Sequence, residues 1–382
     1  MPWEQTNAME QRIRYVVRAE QQQENDQKLC DAFGIHRSTG WRWRKRLQES
    51  GGEIERLEEH SRRPHHSPRE TPRAIQKRVL ELRQAHGWGA LKLQVLLARE
   101  GVRVSAATVH RILKRNGAIE ESAAHRPAIR RFERAESNQL WQMDFKGVKD
   151  SIAERCGLAY PLSVVDDHSR FLLGLFPLAD PGGASAWACL ERVFHSYGVP
   201  DAMLMDHGTP WWSPSNGHGL TQLSVALMEQ GIRLYFSGIG HPQTQGKVER
   251  LHRTMEHSLT RAGARFRDWS QWAEEFRAEY NHLRPHQALE MRVPAERYQP
   301  SRRAFQSRPQ AFDYGAGAEV RQLNSKGCVR HGRERYFVCE ALAGREVVVE
   351  PFRERLLVRY RTTFVREIDV RTGATRALML TD

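Results

Sequence analysis

Three carboxylates lie in sequence contexts that could bring them to one centre. Asp144 lies in a segment of alternating apolar and polar residues, Asp206 follows a short apolar run, and Glu249 lies near the start of a helical pattern. Carboxylate oxygens suit magnesium and manganese, which keep several waters and accept phosphate oxygens. Two such ions about 4 Å apart can activate an attacking oxygen and stabilise a leaving oxygen at phosphorus. The predicted chemistry is therefore metal-dependent phosphoryl transfer without a side-chain nucleophile.

Each of these acids also has a purely structural interpretation, because the chain contains 46 acidic residues. Asp144 could be a surface acid on an edge strand, and Asp206 could be a turn former. Glu249 could be an ion-pair partner of Arg253 at i+4. If Glu249 is not the third acid, Glu256 on the same predicted helix is the next candidate.

The overall composition favours a polyanionic partner. The 382 residues carry a formal net charge of +13, and 40% of them are hydrophobic and 27% charged. This length suits two to four domains. The basic balance is typical of proteins that bind nucleic acid, although a merely soluble basic protein is the alternative.

The cysteines and the N-terminal segment both indicate a soluble, cytoplasmic protein. The five cysteines include no C-x-x-C pair, so neither a structural zinc site nor a disulfide framework is expected, and a reducing compartment fits. The first residues are polar and lack the apolar core of a signal peptide. No run of about 18 apolar residues, the length needed to span a membrane, is present.

Residues 1–50 are predicted to form a helix-turn-helix domain. Three helices are expected within 8–48, and the last two, 26–33 and 37–48, are separated by a short turn containing Gly34. Such a turn between amphipathic helices is the signature of this motif. The basic residues of the last helix are Arg37, Arg42, Arg44, Lys45 and Arg46. They favour a recognition helix in a DNA major groove, and a solvated basic helix whose tryptophans pack on the domain is the alternative.

A second helix-turn-helix is predicted at residues 73–118, after a basic linker at 51–72. The linker contains Arg62, Arg63 and two prolines, and it is equally compatible with a path along DNA and with a flexible tether. The expected helices are 74–86, 90–99 and 106–116, with Ser105 as the N-cap of the last helix. That helix is basic through His110, Arg111 and Lys114.

Residues 139–300 are predicted to form an α/β catalytic core, after a polar connector at 119–138. Period-two alternation at 141–146 indicates a strand with Asp144 and Met143 on opposite faces. The expected order is three strands, a helix, a strand, a helix, a strand and a helix. With acids on the first strand, after the fourth strand and on a late helix, this order describes a ribonuclease-H-like fold. Ligand sites in open α/β sheets gather at the carboxyl ends of strands.

The last predicted unit is a small antiparallel β-barrel at residues 316–382. Alternating segments such as Arg335 to Val338 and Leu356 to Tyr360 indicate short strands. Basic residues in this unit permit DNA contact, and packing on the core is an equal alternative.

Four segments together form a specific combination: WQMDF at 141–145, DDHSR at 166–170, HPQTQGKVER at 241–250 and YNHLRPH at 280–286. They resemble the bacterial insertion-sequence transposases with a retroviral-integrase-type core, and the resemblance covers nearly the whole chain. It implies that Asp144, Asp206 and Glu249 form the family's metal-binding acidic triad. The family usually has Asn after the second acid, where this chain has His207, and a shorter spacing to the third acid.

The resemblance also implies a function, a cofactor and partners. It implies a DDE transposase that binds terminal inverted repeats through residues 8–117, cleaves the element end and transfers its 3′-hydroxyl to target DNA. Two Mg²⁺ or Mn²⁺ ions per site, a homodimer or larger synaptic assembly, and a bacterial, nucleoid-associated location are further implications. Lys247, His252 and Arg253 are expected to face the DNA backbone beside Glu249.

Three alternatives remain open at this point. Asp166 and Asp167 are interpreted as structural residues that hold a hairpin through Ser169 and Arg170, but Asp166 could replace one member of the triad. The chain could be a DNA-binding regulator derived from a transposase, with an inactive core. It could also be a nuclease of the same fold that cuts DNA without joining it.

Overall fold

The computed structural model describes residues 7–21, 25–58, 70–119, 133–146, 160–213, 219–237, 246–263 and 268–378. The chain divides into two compact units, Met1–Thr71 and Pro72–Asp382. Arg62 and Arg63, two predicted DNA-binding residues, lie outside the described residues. Within these ranges, every helix is too short or too polar to span a lipid bilayer.

The first unit contains the three predicted helices of the first helix-turn-helix. They are α1 (Ala8–Glu20), α2 (Asp26–Ala32) and α3 (Arg37–Glu49), followed by a 3₁₀ turn at Ile54–Leu57. Apolar side chains from all four elements form a small core, with Tyr15, Leu29 and Leu57 almost completely buried. Gly40 of α3 is required for this packing, because a Cβ there would clash with the Tyr15 hydroxyl.

The second helix-turn-helix begins the second unit. Its helices are α4 (Arg73–His86), α5 (Ala90–Arg99) and α6 (Ala106–Arg115). The predicted N-cap is confirmed, because Ser105 Oγ accepts a hydrogen bond of 3.2 Å from the Thr108 amide. Buried aliphatic residues from all three helices form their own core.

A five-stranded mixed sheet forms the centre of the predicted catalytic core. The strands of this region are β1 (Trp141–Phe145), β2 (Tyr160–Asp166), β3 (Leu172–Leu178), β4 (Ala202–Met205), β5 (Trp212–Ser213), β6 (Gly219–Leu220) and β7 (Arg233–Phe236). The spatial order of the sheet is β3-β2-β1-β4-β7, with β1 in the middle, antiparallel to β2 and parallel to β4. A two-stranded hairpin, β5-β6, follows β4.

Helices cover both faces of this sheet. The helices are α7 (Gly183–Tyr197), α8 (Gln222–Glu229), α9 (Gly246–Ala262) and α10 (Trp269–Ala278), and α10 continues into a π-helical turn at Glu279–Leu283. One apolar cluster contains residues of α7 and α8 together with Trp141 and Met143 of β1. A second cluster contains residues of α9 and α10 with Val165 of β2. Because side chains alternate along a strand, Asp144 belongs to the face that α9 covers. Two 3₁₀ turns follow, at Gln287–Leu289 and Pro294–Glu296.

The predicted C-terminal barrel is not confirmed, because the described sheet is open. The C-terminal strands are β8 (Val320–Gln322), β9 (Cys328–His331), β10 (Glu334–Phe337), β11 (Glu346–Phe352), β12 (Arg355–Tyr360), β13 (Thr363–Asp369) and β14 (Thr375–Ala377), with a 3₁₀ turn at Glu340–Leu342 between β10 and β11. The sheet order is β14-β13-β12-β11-β8, so β14 and β8 are edges, and β9 and β10 form a separate hairpin. This sheet packs on the catalytic core: Val358 and Ile368 belong to the core's apolar cluster, and Arg345 forms an ion pair of 2.8 Å with Glu229 of α8.

Candidate active site

The central strand of the sheet positions Asp144. Asp144 lies opposite Ser163 of β2 in an antiparallel register, and it faces away from buried Met143. Since β1 has a neighbouring strand on each side, the interpretation of Asp144 as an edge-strand surface acid is wrong. The side chain is 20% exposed, so it is mostly buried but accessible from one direction.

Asp206 lies next to Asp144 because β4 runs parallel to β1. Leu204 pairs with Gln142, and two residues further along both strands the register reaches the two aspartates. Asp206 Oδ1 accepts hydrogen bonds from the Gly208 amide at 3.0 Å and from the Trp211 indole nitrogen at 2.6 Å. Asp206 is therefore a turn former, as one interpretation proposed, and also a neighbour of Asp144.

Glu249 approaches this pair from the first turn of α9, where its side chain is exposed. The electrostatics connect the three acids, because the pKa of Asp144 is raised from 3.8 to about 7. Burial is the largest cause of this rise in the pKa. Repulsion by Asp206 and then by Glu249 raises the pKa further, whereas attraction by Lys146 lowers it. The fold therefore brings together the three carboxylates that the sequence identified.

The donor set fits a hard divalent cation. No three His, Cys, Asp or Glu side chains of the described residues enclose one metal position by themselves. Magnesium is commonly held by only one or two carboxylates, with water and phosphate oxygens completing its coordination. A cation beside Asp144 would also offset the carboxylate repulsion that raises its pKa. Asp144, Asp206 and Glu249 are the residues that could hold such ions.

His252 does not lie where the sequence placed it. It is only 4% exposed, and its Nε2 lies 3.0 Å from Ser163 Oγ while its Nδ1 lies 3.8 Å from Asp144 Oδ2. Burial, with a smaller contribution from Lys146, lowers the pKa of His252 to about 4, so the ring is neutral at pH 7. The expected contact between His252 and the DNA backbone is inconsistent with this position, because α9 directs the ring towards β2.

Lys247 is also directed inwards, and it forms an ion pair with buried Asp167. Burial lowers the pKa of Lys247 to about 8, although Asp167 opposes this shift. Asp167 also accepts hydrogen bonds of 2.8 Å from Gln142 Nε2 and from the Arg134 amide. Lys247 therefore fixes α9 against the sheet, whereas Arg253 on the same helix is exposed.

The contacts of Asp166 agree with a structural role. One carboxylate oxygen accepts the Ser169 amide at 2.7 Å, and the other accepts the Asn138 amide at 2.7 Å. Asp166 is completely buried. Arg170 forms an ion pair with Glu133 at 2.7 Å and does not bond to the Asp166 carboxylate. The turn between β2 and β3 therefore uses Asp166 as an acceptor of backbone N–H groups.

Glu256, the alternative third acid, has a different environment from Glu249. Its Oε1 lies 2.9 Å from Lys146 Nζ, an ion pair between α9 and the end of β1. Glu256 lies two turns beyond Glu249 on the same helix. The two residues therefore form a natural comparison pair for testing which glutamate belongs to the site.

Trp211 is a site residue that the sequence did not indicate. Its ring is 1% exposed and stacks on Phe145 with centroids 5.2 Å apart, while its indole N–H holds Asp206. One side chain thus supports the strand of Asp144 and the carboxylate of Asp206. The neighbouring His207, at the position where the family usually has Asn, packs on Trp212 and Phe236. A tryptophan five residues after an acid has no recognisable pattern, because the contact depends on how the segment between β4 and β5 folds back.

If the chain joins DNA strands with a bound metal ion, as the resemblance implies, Trp211→Phe is expected to lower that activity about 10- to 100-fold, as is typical when a group that orients a metal ligand is removed. Phenylalanine keeps the stack on Phe145 but cannot donate to Asp206. The measurement is the initial rate of DNA strand joining over a magnesium titration. Trp187→Phe, an aromatic substitution on α7, serves as the control and should remain within about threefold of wild type. Equal effects of the two substitutions would contradict the orienting role.

The basic residues of the two recognition helices differ in their contacts. In α3, Arg44 forms an ion pair of 2.6 Å with Asp26, Lys45 lies over Trp41, and Arg46 lies over Trp43. Arg37 and Arg42 of α3 are exposed, as are His110, Arg111 and Lys114 of α6. Trp43 is half-buried and packs on the domain, as the alternative interpretation of this helix expects. Trp41 does not, because it is 62% exposed.

The comparisons with protein families agree with this arrangement. Residues 134–242 and 230–294 match the integrase core domain. Residues 6–57 and 39–113 match homeodomain-like domains. The first pair of matches contains all three acids, and the second pair covers both helix-turn-helix units except the last two residues of α6.

Three relatives give the range of similar proteins. The chain is 25% identical over 255 residues to the uncharacterized 31.7 kDa protein of insertion element IS407 from Burkholderia multivorans, covering 62% of this chain and 84% of that protein. It is 26% identical to the transposase for transposon Tn552 from Staphylococcus aureus, covering 33% and 28%. It is 27% identical to the Gag-Pol polyprotein of baboon endogenous virus, covering 49% of this chain and 11% of the polyprotein. The chain thus spans only a minor part of the last two relatives.

Proposed function

We propose that this chain is a DDE transposase, because it contains an integrase core domain and homeodomain-like helix-turn-helix domains. It binds the terminal inverted repeats of an insertion sequence, cleaves the element end and joins the 3′-hydroxyl to target DNA. The observation that carries the proposal is the convergence of Asp144, Asp206 and Glu249 at the carboxyl ends of β1 and β4.

In this proposal the three carboxylates hold two Mg²⁺ or Mn²⁺ ions. The integrase core family is divalent-metal dependent. When bound, such ions supply activation of the attacking oxygen and stabilisation of the leaving oxygen. The protein positions the carboxylates: β1 holds Asp144, and the Trp211 indole and the Gly208 amide orient Asp206 through hydrogen bonds. His252 lies beside Asp144 as a neutral ring, so it adds no positive charge to the site.

Double-stranded DNA is the proposed partner of both helix-turn-helix units. The net charge of +13 gives a long-range attraction for a polyanion. Exposed cations on α3 and α6 are placed as recognition residues would be. Because two element ends must be joined together, the active form is a homodimer or larger assembly on DNA in the bacterial cytoplasm.

A strand-transfer assay tests the proposal. Wild-type protein is incubated with labelled duplex from the element's own end, a target plasmid, and Mg²⁺ or Mn²⁺, with EDTA as the control. The expected result is a metal-dependent joined product. Tight end binding without any cleavage would instead favour a regulator with an inactive core. Hydrolysis that never gives a joined product would favour a nuclease.

Arg42→Gln in α3 is expected to weaken end binding about 3- to 10-fold at moderate salt. Loss of one phosphate contact lowers the slope of log affinity against log salt by about one. The measurement is fluorescence anisotropy with end duplex at several salt concentrations. Arg14→Gln is the matched control, because Arg14 lies on α1 and forms an ion pair of 2.5 Å with Glu10. If Arg42→Gln binds with wild-type affinity and slope, Arg42 does not contact the DNA.

A further inference from the structure

A crevice lies between the second helix-turn-helix and the catalytic core. It has a volume of about 830 Å³ and is lined by residues of α4, α5 and α6 on one side and of α9 and α10 on the other. Three contacts join its two sides. They are His86 Nδ1 to Glu279 Oε1 at 3.2 Å, Arg99 Nη1 to the Leu283 carbonyl at 3.1 Å, and Arg261 to the His86 carbonyl. The crevice is therefore a fixed feature of the second unit.

The lining of this crevice has an excess of positive charge. Its lysine and arginine residues are Arg83, Lys92, Arg261 and Arg284, and its carboxylate is Glu279, which contacts His86. Arg83 and Arg261 donate to backbone carbonyl groups. Within the described part of the chain, the recorded ion pairs involve neither Lys92 nor Arg284. These two cations therefore have the chemistry to bind an anion.

Two buried nitrogen atoms beside these cations lack a hydrogen-bond partner among the described residues. They are Arg284 Nε and His286 Nε2, and His286 is only 9% exposed. Arg284 also donates through Nη2 to Thr254 Oγ1, at 3.3 Å. Buried polar groups are nearly always satisfied. The neutral His286 ring already donates its one N–H to the Tyr280 backbone, so its Nε2 is an acceptor, and the N–H at Arg284 Nε is the group that needs an acceptor from outside the chain.

The N-terminus of α5 opens into the same crevice. This ten-residue helix follows Gly89, and no side chain caps it. Gly89 and Ala90 line the crevice, and a Cβ built on Gly89 would meet open space. The amide groups at an uncapped helix N-terminus attract anions, and Lys92 lies in the first turn of this helix.

Repulsion among the cations supports an anion site. Burial, then Arg284 and Arg250, lower the pKa of Lys92 to about 7. Burial, then Arg284 and Lys92, lower the pKa of His286 to about 2. An anion beside Lys92 and Arg284 would replace the repulsion between these two cations by attraction.

We propose that this crevice binds one backbone phosphate of the bound DNA, held by Lys92, Arg284 and the N-terminus of α5. This inference rests on the proposed function and extends its DNA path. Thr254 of the crevice and Glu249 of the site lie on the same helix, about 8 Å apart along its axis. In this proposal a duplex whose end reaches the carboxylates also passes the crevice, and the phosphate contact holds the second helix-turn-helix and the core on the same DNA.

The test compares Lys92→Gln, Lys92→Arg and Lys77→Gln with wild type in full-length protein. The probe is a duplex of the element's own end, and its affinity is measured by anisotropy between 50 and 300 mM salt. Lys77 of α4 is the matched control, because its side chain is 81% exposed and it does not line the crevice. We expect Lys92→Gln to reduce the slope of log affinity against log salt by about one, because one phosphate contact is lost. Lys92→Arg and Lys77→Gln should keep the wild-type slope.

Other outcomes separate this inference from the proposed function. If Lys92→Gln binds the end duplex with the affinity and the salt slope of wild type, Lys92 holds no phosphate and the proposed site is wrong. That result does not affect the transposase proposal. A Lys92→Arg variant as weak as Lys92→Gln indicates packing and also overturns the site. If inorganic phosphate raises the melting temperature of wild type but not of Lys92→Gln, while DNA binding of the two is equal, the crevice binds a small anion instead. Failure of wild type to bind any end duplex defeats the proposed function first.

Discussion

Glu249→Gln is expected to lower strand joining by at least about a thousandfold, while end binding stays near the wild-type level. The substitution keeps the shape of the side chain and removes the charge that would hold a metal ion. Metal ions supply several kcal/mol of transition-state stabilisation, and about 4 kcal/mol corresponds to about a thousandfold in rate. The measurement is the yield of joined product with time, with anisotropy of the same duplex as the binding readout.

Glu256→Gln on the same helix is the matched control for this experiment. Its carboxylate forms an ion pair with Lys146, so its loss should alter stability slightly and leave joining within about tenfold of wild type. The reverse pattern, with joining lost in Glu256→Gln and kept in Glu249→Gln, would mean that Glu256 is the third acid. Loss of DNA binding in Glu249→Gln would indicate a folding defect rather than a missing ligand.

Asp144→Asn is expected to abolish strand joining. It is also expected to raise the free energy of unfolding of the metal-free protein at pH 8 by about 1–4 kcal/mol, since one pKa unit corresponds to about 1.36 kcal/mol. The pKa of Asp144 is raised from 3.8 to about 7, first by burial and then by repulsion from Asp206 and Glu249. A raised carboxyl pKa favours folding at low pH, and this contribution is lost as the pH rises through about 7. Asparagine carries no charge, so its advantage should grow from pH 5 to pH 8.

Thermal unfolding in EDTA at both pH values measures this effect. Magnesium should raise the melting temperature of wild type and have little effect on Asp144→Asn, because one ligand is missing. Asp201→Asn, whose side chain is 65% exposed, is the control and should match wild type at both pH values. An Asp144→Asn protein that is less stable than wild type at pH 8 in EDTA would contradict the repulsion described here.

Much of the fold was predictable because it is encoded in local patterns. The period-two pattern around Asp144 gave both the strand and the face of the side chain, since alternate residues of a strand point in opposite directions. Ser105 as an N-cap and Gly34 in a turn are local signals of the same kind. The three acids could be proposed because each lies in or beside such an element and because the resemblance to the transposase family implies an acidic triad at these positions.

The predictions that failed depend on contacts between distant segments. The alternating C-terminal segments indicate strands correctly, but closure into a barrel depends on whether β8 and β14 meet, and they remain edges. His252 lies beside Glu249 in the helical pattern, and only the docking of α9 on β2 directs it towards Ser163. Helical periodicity shows which residues share one face of a helix, but tertiary packing decides which strand or helix that face contacts.

The sequence by itself thus determined the secondary structure and the basic character of α3 and α6, and it proposed the three carboxylates as the site. Tertiary structure alone decided the surroundings of the site: Trp211 supporting Asp206, Lys247 paired with buried Asp167, and the crevice around Lys92. The physical reason is sequence separation. Lys247 and Asp167 are 80 residues apart, and no short-range pattern specifies which distant side chains meet when hydrophobic faces are buried together.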